Sequence, residues 1–528
     1  MPYPSPGCQT CKIRRIKVPK QFRSFQLVSN WLTCSRKCDE TKPVCRRCAK
    51  SERVCLDANT VKQRNFLIHD EGSYASGKVK RPRGPRTSLT TFRPYPDLQS
   101  RALEYYVNYH LRTVDGLTNI ASCLPESVRV WNLSGRICRM VNFALSAMAL
   151  AVFSRTQRHP QAAIQASANY DRVLQIAQGL LAKLHTAVAQ QRLQEQHIDA
   201  CLLTTLILGR YEDSMHHPPK VTSRNQFNSL QSWLHHDGAM AILKVWMDDP
   251  NHGPPTRIIT QARRGLIKSC LIRNLPLPQW IQNGGHFGED ELELEYDRIA
   301  VRIVNLRQSF TKLLDLNADY EDSEHQDWLK TIRIEKLNQE SRVLDQELQN
   351  WTKHISTRWS YKRQRLQEPG PWPKHYFFSP EVYCFSSICA AAVWCQYFAA
   401  RMIINSTRLR ILGLDHLNSV GLTYESQRLD CKSQLNEMAH GMASTIPFCL
   451  DRFKLPNPES EAALKLNTDE EIKPSLAGLP VWPLVVASSL EGVDIALRQW
   501  FRYELGILGR VLGDGVLANA DQHPWVTL

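Results

Sequence analysis

The chain has 528 residues, 43% of them hydrophobic and 22% charged, with a formal net charge of +15. That length exceeds one ordinary core and predicts more than one domain. The longest apolar run, residues 141–153, is too short to span a bilayer, and the opening MPYPSPGCQT lacks a basic segment leading into an apolar one, so neither a membrane span nor a secretory leader is expected.

The positive charge is concentrated at the head. Residues 1–95 carry 21 of the 66 Lys and Arg but only 6 of the 51 Asp and Glu, which leaves 45 of each for the rest. A basic head on a neutral body predicts a polyanion-binding segment. Seven of the 16 cysteines fall in the same region: Cys8, Cys11, Cys34, Cys38, Cys45, Cys48 and Cys55. Inside a cell thiols stay reduced, so clustered cysteines read as metal ligands rather than disulfides. A Cys-x2-Cys pair grips one tetrahedral Zn²⁺ through two thiolates at ~2.3 Å, and sulfur suits zinc as a soft ligand. A module this small cannot fold on an apolar core, so metal must supply its folding free energy.

Two segments, GCQTCKIRRIK (7–17) and KCDETKPVCRRCAKSERVC (37–55), resemble the two halves of the fungal binuclear zinc cluster, including Pro43 in the loop. The resemblance implies six thiolates, from Cys8, Cys11, Cys38, Cys45, Cys48 and Cys55, holding two Zn²⁺, with Cys8 and Cys45 bridging both ions. It also implies a short helix in the major groove of double-stranded DNA, with Arg14 and Arg15 reading a CGG triplet. Arginine can donate two hydrogen bonds to guanine O6 and N7, which discriminates by ~1–3 kcal/mol. Lys12, Lys17, Arg46, Arg47 and Lys50 are expected on phosphates, giving salt-dependent affinity without sequence information.

The sequence departs from that family at residue 18, where Val18 stands in place of the third cysteine. Removing residues 18–37 joins CQTCKIRRIK to CDETKPVCRRCAKSERVC and restores the pattern. Those 20 residues correspond to 60 nucleotides, begin with a residue whose codons start GT, and end in a lysine encodable as AAG. Two origins stay open: a translated, unspliced intron or gene-model error, and a genuine long loop. Stretching the loop from 6 to 26 residues costs about 1.3 kcal/mol of closure entropy, small beside the roughly 10–16 kcal/mol of structural zinc binding. The insert threatens the DNA-contacting helix more than the metal, and it brings Cys34 as a competitor for Cys38.

The expected organisation is a zinc-cluster domain over 1–57 interrupted by the 18–37 insert, a basic disordered linker over 58–95, and a helical regulatory domain over 96–528. The linker holds KVKRPRGPR (78–86), a candidate nuclear import signal. No sustained heptad follows Cys55, so no coiled-coil dimer is expected. Beyond residue 96, apolar residues recur at three- and four-residue spacing in LQSRALEYYVNYHL, RICRMVNFALSAMALAVF, ASANYDRVLQIAQGLLAKL, IDACLLTTLILGRYE and YCFSSICAAAVWCQYFAARMII, which predicts a mostly α, all-helical body. Prolines mark breaks at 218–219, 254–255 and 369–371. The nine cysteines from Cys123 to Cys449 lack metal spacing and are expected as buried small hydrophobes. The body's segments are similar in order to fungal transcription factor regulatory domains. Trp233 is expected as a packed ring, and His235 and His236 as surface histidines rather than as the lining of a pocket.

No His-Glu-x-x-His, Gly-x-Ser-x-Gly, Gly-x4-Gly-Lys-Ser/Thr or Gly-x-Gly-x-x-Gly motif occurs, so no enzyme is expected. The leading reading is a nuclear, sequence-specific regulator of RNA polymerase II transcription that binds CGG-containing DNA and transcription co-regulators. Two rivals stand beside it: a helical interaction protein whose insert has abolished DNA binding, and a helical enzyme with an accessory zinc knuckle.

Overall fold

The computed structural model describes residues 45–50, 96–111, 135–189, 195–217, 230–318, 324–355, 357–366, 373–414, 422–454, 464–521 and 525–528. The chain divides into two units, Met1–Arg93 and Pro94–Leu528. In the first, the described residues form one short helix, α1 (Arg46–Lys50). The second is mostly helical, as its periodicity predicts.

Local sequence sets the starts and stops of these helices. α2 (Leu98–Tyr109) begins at Asp97, whose carboxylate accepts from Ser100 N at 2.8 Å and satisfies one orphan amide of the first turn. α3 (Gly135–Thr156) and α4 (Pro160–Ala189) form an antiparallel pair, with Pro160 opening the second where its missing N–H costs nothing. α5 (Glu195–Met215) packs on α3 and on α6 (Ser232–Asp248). Pro254 and Pro255 separate α6 from α7 (Arg257–Arg273), which Thr256 caps at its start and left-handed Asn274, φ 52°, closes at its end.

The second half is built around α10 (Ile388–Leu412), which follows α8 (Glu291–Ala318) and α9 (Glu324–His354). Its neighbours are α8, α9, α11 (Leu422–Cys449) and α13 (Val481–Ser489), so nearly all its residues are buried. Among the described residues it is the one helix long and apolar enough to cross a membrane by length and composition, and most of that length is covered by these neighbours. Polar residues fix its register against α9. Arg401 donates to both carboxylate oxygens of Asp345 at 2.8 Å, Asn405 reaches the same carboxylate at 2.9 Å, and Arg408 donates to Asn338 Oδ1 at 2.9 Å. After the single-turn α12 (Pro474–Ala477) and α13, α14 (Ile495–Leu512) packs on α13, α11 and α3.

Two features depart from the all-helical expectation. β1 (Lys362–Arg365) pairs antiparallel with β2 (Glu381–Cys384), Lys362 opposite Cys384, and β3 (Phe453–Lys454) pairs with β4 (Lys465–Leu466). Tyr383 and Cys384, read within a continuous helical run, belong to β2; the helix starts only at Ile388, where Ser387 caps Ala390 N at 3.2 Å. An apolar run of this kind carries no period that separates a buried strand from a buried helix. The ladders enclose a small second core of Leu366, Phe377, Val382, Cys384 and Phe453 beside the main one.

Candidate functional site

In the head, Cys45 and Cys48 sit at the start of α1 and are both buried. Cys48 N donates to Cys45 Sγ at 3.4 Å, and Ala49 N donates to Cys45 O at 3.0 Å. An amide aimed at sulfur is the contact a metal-bound thiolate accepts, and a two-residue spacing puts both thiols on one turn. Five helical residues are too few to persist alone, so the turn needs an anchor outside its own hydrogen bonds. Arg46 and Lys50 project from the same turn and are exposed, as phosphate contacts must be. The thiol pair, its amide contact and the flanking cations fit a zinc knuckle.

The other head residues singled out by sequence lie outside the described residues: Cys8, Cys11, Cys38 and Cys55, Lys12, Arg14, Arg15 and Lys17, the side chain of Arg47, the 18–37 insert and the 58–95 linker. Among the described residues, no three His, Cys, Asp or Glu side chains converge on one point. In the body, Cys201, Cys270, Cys384, Cys389, Cys395, Cys431 and Cys449 are all buried, as expected. Burial pushes the Cys201, Cys270, Cys384 and Cys431 thiols up to about 11, which keeps them protonated and inert. Cys123 and the side chain of Cys138 lie outside the described residues.

The expectation of surface histidines is corrected. His235 and His236 are half-buried, and burial lowers both to about 4, with Arg273 adding to the shift at His236. Tyr170 Oη lies 3.2 Å from His235 Nε2, while buried His236 Nδ1 has no hydrogen-bond partner among the described residues. Trp233 is packed as expected, beneath the Arg273 guanidinium at 5.3 Å and against the His236 ring. Three neighbouring residues on one amphipathic turn do not reveal which flank a further helix will cover.

Sequence reading missed a cleft in the body between α7, α8, the end of α9, α10 and α13. Arg264, Ile267, Lys268 and Leu271 of α7 line it from one helix face. Their spacing was the available signal, but it is also that of an ordinary core stripe with solvated ends. Burial and the nearby Arg264 lower the Lys268 amine to about 8, and burial raises the Tyr296 phenol.

No family model, no characterised protein sequence and no solved structure matches this chain.

Proposed function

We propose that this chain is a sequence-specific DNA-binding regulator of RNA polymerase II transcription, working in the nucleus through a two-zinc cysteine cluster and a helical regulatory body. The observation that carries the reading is the buried Cys45 and Cys48 pair, with one thiol accepting an amide and two exposed cations on the same turn. The spacing of the six head cysteines and the confinement of all excess positive charge to residues 1–95 support it further.

In this reading Cys8, Cys11, Cys38, Cys45, Cys48 and Cys55 hold the metal, and zinc bound there supplies the folding free energy that so small a module lacks. The basic residues divide the work. Arg14 and Arg15 donate to guanine edges of a CGG triplet, while Lys12, Lys17, Arg46, Arg47 and Lys50 neutralise phosphates. The body, with its own core, would present surfaces to transcription co-regulators.

A gel-shift titration with CGG-containing duplexes tests this on the full chain and on a form lacking residues 18–37. Arg15→Ala should weaken CGG binding about tenfold and narrow the gap to scrambled duplexes. Equal affinity and selectivity in the native and substituted chains would remove Arg15 from the readout. Binding only by the shortened form would favour the DNA-binding-defective reading of the chain that carries the insert.

A further inference from the structure

The cleft in the body measures about 510 Å³, within the roughly 300–1,000 Å³ of small-molecule sites. Its walls are mostly apolar and aromatic, with Trp351, Trp359, Trp482 and Tyr296 beside Leu271 and Ile403. Such walls favour a flat or chain-like apolar body of drug-like size.

The charged residues of the lining decide what that body must carry. Arg263 is bound through two nitrogens to Asp297, at 2.6 and 2.9 Å. Arg264 is bound through two nitrogens to Glu289, and also to Glu293 at 2.6 Å. Glu293 is 60% exposed, so water screens it. The carboxylates of Asp297 and Glu289 are therefore matched by two guanidiniums, and Lys268, part-exposed in the lining, is in excess. Among the described residues Lys268 Nζ makes no ion pair or hydrogen bond and lies 5.2 Å from the Trp482 ring centre. A cation with no counter-ion on a mostly apolar wall favours an anion beside it.

We propose that this cleft binds a small amphipathic monocarboxylate, with its apolar or aromatic body among the tryptophans and its carboxylate paired with Lys268. A neutral ligand would leave Lys268 without a counter-ion, and a cation would be repelled by it. A second negative charge would face Glu289 and Asp297, whose partners are already taken. Burial and then Arg264 lower the Lys268 amine, and an anion bound beside it would offset both. This inference concerns the body alone and stands whether or not the head binds DNA.

Isothermal titration calorimetry on the full chain at pH 7 tests it, with 2-naphthylacetate, its neutral amide and decanoate as probes. One molecule of 2-naphthylacetate or decanoate per chain should bind saturably, with the naphthyl acid at least about tenfold tighter than its amide. Lys268→Met should abolish the preference for acid over amide, and Lys268→Arg should keep most of it. Ala300→Trp, which fills the cleft, should abolish binding of both. Thermal melts of each variant separate lost binding from lost folding, and the Lys268→Met comparison decides the matter even if the Ala300 variant unfolds. Acid and amide binding alike to the native chain would overturn the proposal. So would an undiminished acid preference in Lys268→Met, or no saturable binding of either acid up to about 1 mM.

Discussion

Arg263 is fully buried, yet each of its nitrogens has an acceptor. Nε donates to Ile281 O at 2.8 Å, the two terminal nitrogens hold Asp297, one of them also reaches Gln282 O at 3.1 Å, and the Phe287 ring lies beneath at 5.2 Å. Removing it strands the buried carboxylate of Asp297, while Glu289 keeps its two bonds from Arg264. Arg263→Ala should cost roughly 3–5 kcal/mol in urea unfolding, whereas a loss below about 1 kcal/mol would mean the pair is dispensable. Asp213 poses the opposite problem. It ends α5 against the Gly513–Gly515 turn, where Gly515 N donates to Asp213 O at 2.8 Å and Ser214 Oγ to Gly513 O at 2.6 Å. Burial, and then the Asp514 carboxylate, push its carboxyl up to about 8, against the pull of Ser232 and Arg210 and with a small push from Glu212. The folded chain thus keeps a proton that the unfolded chain loses near pH 4, so this group costs stability increasingly as pH rises from about 4 to 8. Asp213→Asn should raise the melting temperature at pH 8 and change it little at pH 4; a constant offset across that range would contradict the assignment. Neither residue was legible in the sequence. Nothing in the run QARRGL separates buried Arg263 from part-exposed Arg264, whereas the buried body cysteines were legible because thiol burial is their default.

At the scale of elements the helices were the legible part. α2, α3, α4, α5 and the body of α10 lie where three- and four-residue spacing puts them, because an amphipathic stripe must be buried against a neighbour. The strands were not legible, since β1 reads KRQR, with no apolar alternation, and takes its conformation from pairing with β2. α14 shows what fixes one helix in place. Asp494 accepts from Ala496 N and Leu497 N at 2.9 and 3.1 Å, and Gly513 closes the far end at φ 68°. Near that end the helix is crossed closely by the Leu517–Asn519 turn, so a methyl group on Gly509 would run into the backbone of Leu517 and Ala518. That backbone cannot swing aside. Gly509→Ala should therefore destabilise by about 1–3 kcal/mol despite its better helix propensity. The measurement is the urea midpoint at unchanged slope, and a midpoint shifted upward would show that the turn relaxes freely.

At the scale of the whole molecule, sequence and structure are informative in different places. The head was read from cysteine spacing, charge and a resemblance to the fungal zinc cluster, and the described residues add the local geometry of Cys45 and Cys48. The body was read as helices without a site, and the structure adds a cleft built from five segments distant in sequence, a juxtaposition no local pattern encodes. A chain so divided would carry DNA recognition at one end and control at the other. The central claim is that thiolates of the head hold two zinc ions and that DNA binding depends on them. Elemental analysis of the purified full chain, paired with CGG-duplex gel shifts before and after exhaustive chelation, tests it most directly. The account predicts two zinc per chain and binding that is lost with the metal and returns when zinc is restored. A chain that carries no zinc, or that binds CGG duplexes undiminished after chelation, would contradict it.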